Sequence, residues 1–99
     1  MKRTVRVLRR ARRDLQEIYD FTLREVPVRA GGLLDGLLAA VESLATMGDR
    51  VARPRDQILR ASGYRFLVHE GYLIFYKVVG RQVRVHRVLH GRRAYRDVL

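Results

Sequence analysis

The chain contains no cysteine. Disulfides, thiolate metal sites and a cysteine nucleophile are therefore excluded, which suits a reducing compartment and a cytoplasmic location. It also has no long hydrophobic run. The most apolar window, Leu33 to Val41, is short and interrupted by Asp35, so no membrane span is expected. The basic opening MKRTVRVLRR is not followed by an apolar stretch and does not read as a secretory leader. Metal-ligand spacings such as HxH or HExxH are missing, as is a carboxylate cluster, so neither a metal nor a cofactor is expected. Gly31-Gly32 lacks the Lys-Ser or Lys-Thr of a phosphate loop, and no Ser-His-Asp arrangement follows from the spacing. Acids are scarce too: 10 against 21 bases, for a net charge of +11 over 99 residues.

The excess charge is unevenly placed. Residues 1–13 carry +7, residues 14–56 carry −3 and residues 57–99 carry +7. Nineteen of the 21 bases are arginine, the cation suited to bidentate contact with carboxylate or phosphate. An acidic partner is expected, either nucleic acid or protein. A plainer reading stays open, in which the charge only keeps the chain soluble.

The length is that of one domain, residues 1–99, with enough chain for one modest core. Thr4 to Leu8 alternates and is β-branched, which predicts a first strand. Ala11, Leu15, Ile18, Thr22 and Val26 then recur at helical spacing, with an Asp20–Arg24 pair on the outer face. Pro27 ends this helix or starts the next. Leu34, Leu37, Leu38, Val41, Leu44 and Ala45 predict a second helix closed by Gly48, and Gly31, Gly32 and Gly36 point to a close helix–helix approach. Residues 49–62 read as a loop around Pro54. Strands follow from Tyr64, from Tyr72 to Val79 and from Gln82 to Leu89, separated by the short turns Glu70-Gly71 and Gly80-Arg81. The expected fold is α+β, in the order β-α-α-β-β-β. A helical hairpin packs on one face of a small antiparallel sheet, and the other face stays free for a partner.

In the last strand, strict alternation puts Val83, Val85, Arg87 and Leu89 on one face. Arg87 then interrupts an apolar face. Either it pairs with Glu42 or another helix acid, or it sits at the sheet rim. His90, beside Gly91, is a candidate general acid or base, or simply a polar loop residue. Metal-free RNA cleavage needs a base, a phosphorane-stabilising cation and an acid. Arg65, Arg87, His90, Arg92, Arg93 and Tyr95 are of the right types, and Tyr64, Tyr72 and Tyr95 are candidates for base stacking. Arg9-Arg10-Ala11-Arg12-Arg13 places cations at a helix N-terminus, where the dipole disfavours them. Either an acidic partner relieves this cost or the cluster is simply well solvated and screened, the reading favoured for Arg9 and Arg10, and Asp14 and Glu17 already offset part of it.

Three stretches together resemble the RelE/ParE toxins of bacterial type II toxin–antitoxin modules: ARRDLQEIYDFT, GYRFLVHEGYLIFYKV and VRVHRVLHGRRAYRDVL. The ending is similar to the ParE, or plasmid-stabilisation, branch. The resemblance implies a growth-inhibiting toxin neutralised by an acidic antitoxin, meeting operator DNA only through that antitoxin. It implies DNA gyrase as the target and no enzymatic activity, with ribosome-dependent mRNA cleavage of the RelE type, or a degenerate toxin that binds only its antitoxin, as alternatives. Arg12, Arg13, Arg65, Arg87, Arg92, Arg93 and Tyr95 are then the candidate target- or antitoxin-binding residues. Arg65, Arg87, His90 and Tyr95 would serve an RNase. Many ParE-branch sequences carry an acid after the paired arginines, where this chain has Ala94.

Overall fold

The computed structural model describes residues 2–47, 57–91 and 99. The elements are β1 (Thr4–Val7), α1 (Arg9–Glu25), α2 (Pro27–Met47), α3 (Gln57–Ala61), β2 (Arg65–His69), β3 (Tyr72–Val79) and β4 (Gln82–His90). Pro27 is the first residue of α2, where its missing N–H costs nothing and its fixed φ suits the helix. The Val26 N–H closes α1 on the Thr22 carbonyl at 2.7 Å. Val26 itself is 42% exposed and lies off the apolar stripe to which the periodicity assigned it. Asp20 accepts a hydrogen bond from Gln16 at 2.9 Å and is not paired with Arg24.

The sheet order is β1-β4-β3-β2. β2, β3 and β4 form the expected antiparallel meander, and β1 joins β4 in parallel at one edge. Its two turns use left-handed backbone, at Glu70 and Gly71 (φ 47° and 84°) and at Gly80 (φ 61°), as tight hairpins demand. The α1–α2 hairpin covers one face. Ala11, Leu15, Leu33, Leu37, Val41 and Leu44 pack there against Ile74, Tyr76, Val83, Val85 and Val88. Leu33 is buried and Leu38 is 40% exposed, so the α2 stripe runs through Ala30, Leu33, Leu37, Val41 and Leu44. By length and composition α2 is apolar enough to cross a membrane, contrary to the reading of its sequence. Here that apolar stripe is spent on the sheet. Gly36 marks a close approach of α2 to β2 and not to another helix. A Cβ at Gly36 would lie 2.6 Å from His69 Nε2, whereas one at Gly31 or Gly32 would meet open space.

Two further expectations are corrected. The segment read as a loop over residues 49–62 contains α3; residues 49–56, with Pro54, and the Gly48 cap lie outside the described residues. Gly63, at φ 86°, ends α3 in a Schellman motif, with Tyr64 N–H on the Leu59 carbonyl (3.1 Å) and Gly63 N–H on that of Arg60 (3.0 Å). The second correction concerns β4. The register passes from Tyr76↔Val85 to Phe75↔Arg87, leaving His86 as a bulge. Alternation therefore slips by one. Val83, Val85 and Val88 face the helices, while Arg84, Arg87 and Leu89 face outwards. That outer face is not bare: Leu59 of α3, Tyr64, Phe75 and Leu89 form a second small core, with Phe66, Leu73 and Leu99 packed on it.

Candidate functional site

β1 ends beside the middle of β4, where Leu8 N–H meets the Val85 carbonyl at 3.0 Å. Beyond Val85, no strand among the described residues pairs with β4 on that side. Asp14 of α1 takes the place of one. Its carboxylate accepts the Val88 N–H at 3.0 Å, Arg87 Nε at 2.7 Å and Arg87 Nη2 at 3.1 Å. Asp14 is 3% exposed and Arg87 7%, so both charges are out of water and each needs the other. Arg10 Nη1 lies 3.0 Å from Asp14 Oδ1, close enough to pair although not aligned for a hydrogen bond. Of the two readings of Arg87, the structure selects pairing with a helix acid, and the acid is Asp14.

Next to this clamp the outer sheet face is aromatic and cationic. Tyr64 packs edge-on against Phe75 (ring centroids 6.5 Å apart) and His86 (5.3 Å), with Lys77 Nζ 4.4 Å above its ring. Burial raises the Tyr64 pKa, and the Arg87 charge opposes that rise. The His86 pKa is lowered by burial first, then by the charges of Lys77 and Arg84. Leu8, Arg10, Tyr64, His86, Arg87 and Leu99 line a cavity of about 250 Å³ at the end of this cluster.

The candidate residues are scattered. Arg12 and Arg13 are exposed on the first turns of α1. Arg65 pairs in register with Tyr76 and so stands on the helix-facing side at the β2 edge, opposite in face to Arg87. His90 is exposed at the end of β4, edge-on to Tyr72 with ring centroids 5.5 Å apart. It lines a second cavity of about 250 Å³ with Glu17, Ile18, Phe21 and Tyr72. Tyr64, a candidate for base stacking, is buried in the small outer core. Arg92, Arg93, Ala94 and Tyr95 lie outside the described residues. Among the described residues no group of three or more His, Asp or Glu side chains could hold a metal. Reading the sequence missed Asp14 as a site residue. The signal was its place inside the Ala11–Leu15–Ile18 stripe, where an acid must find a buried partner.

Residues 5–95 match the family described as the ParE toxin of the type II toxin–antitoxin system parDE. Toxin RelE3 of Caulobacter vibrioides is 33% identical over 81 residues, covering 82% of this chain and 86% of that protein. Among solved structures, the chromosomal ParDE toxin–antitoxin system of P. aeruginosa superposes with a TM-score of 0.77 at 22% identity, covering 90% of this chain and 96% of that chain. The RelBE2 toxin–antitoxin complex of Mycobacterium tuberculosis gives 0.57 at 26% identity, covering 91% and 99%.

Proposed function

Because the chain belongs to the ParE toxin family of type II toxin–antitoxin systems, we propose that it arrests growth by binding and poisoning DNA gyrase in the cytoplasm, without catalysing a reaction itself, and that an acidic antitoxin neutralises it. The observation that carries the non-enzymatic reading is the fate of the candidate RNase residues. Arg65 and Arg87 stand on opposite faces of the sheet, and Arg87 is committed to Asp14. A phosphorane-stabilising cation must be free to meet charge as it develops, and this guanidinium already holds a buried carboxylate. The exposed cations of α1, Arg12 and Arg13, together with Arg92 and Arg93 in the sequence, supply the charge for an acidic protein surface.

The test is supercoiling of relaxed plasmid by purified gyrase with added toxin. Inhibition with accumulated cleaved DNA, reversed by the antitoxin, is the expected result. Unimpaired supercoiling by a folded toxin that still stops growth would remove gyrase as the target. The second reading, ribosome-dependent mRNA cleavage, is favoured by the identity to a protein named RelE3. It makes the opposite forecast for His90→Ala: loss of cleavage by ~100-fold or more, the scale of a lost general acid. A gyrase poison would barely register that change.

A further inference from the structure

The strand registers place three cations in one line. Arg6 of β1 is the partner of Arg84 on β4, and Arg84 is the partner of Lys77 on β3. All three share the outer face, since their neighbours Val5, Val83 and Val78 form the register row on the helix side. Like charges directly opposite on adjacent strands oppose sheet pairing. Among the described residues no acid forms an ion pair with any of the three. Arg84 instead donates through Nε to Gln82 at 2.6 Å, which orients its guanidinium without neutralising it. The pKa of His86, lowered first by burial, is lowered further by the charges of Lys77 and Arg84.

We propose that the Arg6–Arg84–Lys77 row on the outer sheet face binds the phosphate backbone of duplex DNA directly. This goes beyond the gyrase reading and does not depend on it, because it gives the toxin chain its own contact with DNA. Strands lie about 4.8 Å apart, so the row spans about 10 Å. Duplex DNA presents one phosphate per ~3.4 Å of axis on each strand, displaced around the helix as well as along it, and the long Arg and Lys side chains of the row can each reach for one. A single strand would need open aromatic platforms for its bases. The rings beside this row are closed: Tyr64 is 9% exposed under Lys77, and Phe75 is 1% exposed. An acidic peptide would need apolar anchors. Val79 beyond Gln82 on one side and the cavity lined by Leu8, Tyr64 and Leu99 on the other border the row, so the poly-glutamate arm of the titration below decides between that occupant and the duplex. Cations alone suffice for a duplex backbone, and the contact is independent of base sequence.

The experiment is anisotropy of a labelled short duplex titrated with the full chain between ~50 and ~200 mM salt. The triple variant Arg6→Gln, Lys77→Gln and Arg84→Gln is compared with a charge-matched triple elsewhere, Arg24→Gln, Arg29→Gln and Arg60→Gln. The row variant is expected to lose ~10-fold or more in affinity and about 3 units of log–log salt slope, and the control less than ~3-fold. Equal losses in both triples would reduce the effect to bulk charge and overturn the proposal. So would single-stranded RNA of equal length, or a poly-glutamate peptide of equal charge, binding the row more tightly than the duplex. Thermal melting checks the fold, and the row variant is expected to melt no lower than the wild type because a repulsion has been removed. Should that triple fail to fold, Arg6→Gln with Lys77→Gln keeps the Arg84–Gln82 bond and must still lose about 2 units of slope against Arg24→Gln with Arg60→Gln.

Discussion

At the scale of single residues, Asp14 has the most to lose. Replacing it with alanine removes the carboxylate that Arg87 Nε and Nη2 donate to and frees the Val88 N–H in a site closed to water. Breaking a buried pair from one side costs about 3–5 kcal/mol. Arg87→Met should cost less, because Arg10 and the Val88 N–H still face the carboxylate. The double variant should recover part of the Asp14→Ala loss. Urea unfolding of the four proteins checks this, and strictly additive losses would show that the pair is not coupled. His86 gives a pH dependence of definite sign. Burial, Lys77 and Arg84 hold its folded pKa below the ordinary value of 6.5. Between the two values the unfolded chain binds more protons than the folded one, so this contribution is intact above about 6.5 and is lost as pH falls towards the folded value. His86→Gln should flatten the stability profile across that window, measured as the urea midpoint against pH.

At the scale of elements, α2 carries glycines that its packing does not use. Gly31 and Gly32 are exposed and a Cβ at either would meet open space, unlike Gly36 against His69. Gly31→Ala and Gly32→Ala should each stabilise the fold by about 0.5–1 kcal/mol through helix propensity and a less free unfolded chain. Chemical denaturation reads this directly, and a loss of stability at either position would mean that an added methyl group meets a neighbour on this helix face. β4 is shaped by its one bulge. Without the extra residue at His86, Arg87 would point among the helix-facing valines, where its charge would have no partner. With it, the guanidinium turns to the open edge and meets Asp14 across 73 positions of sequence. Periodicity cannot report such a slip, because a run of alternating residues looks the same with or without one unpaired position.

At the scale of the whole molecule, +11 on 99 residues works against compaction. The free toxin should therefore melt higher as salt rises from ~10 to ~150 mM, where the screening length falls from ~30 to ~8 Å. A complex with an acidic antitoxin should show the opposite trend in affinity over the same range. Calorimetric melts of the free chain and titrations of the complex separate the two, and a melting point indifferent to salt would show that the charges are already compensated within the fold.

Much of the architecture was legible before any coordinates. Both helices and the three strands of the meander are local patterns, since a period of 3.6 or 2 and a glycine at a tight turn act over a few neighbouring residues. So is the charge, which is read from composition whatever the fold. α3 was also within reach, because Ser62-Gly63 after a helix-forming run is a C-terminal stop signal. The rest depended on distance. That β1 lies parallel to β4, that Asp14 rather than Glu42 holds Arg87, and that Arg6, Arg84 and Lys77 form one row all follow from strand order and register. Those are settled by how side chains far apart in the chain fill one core, and no local pattern encodes them.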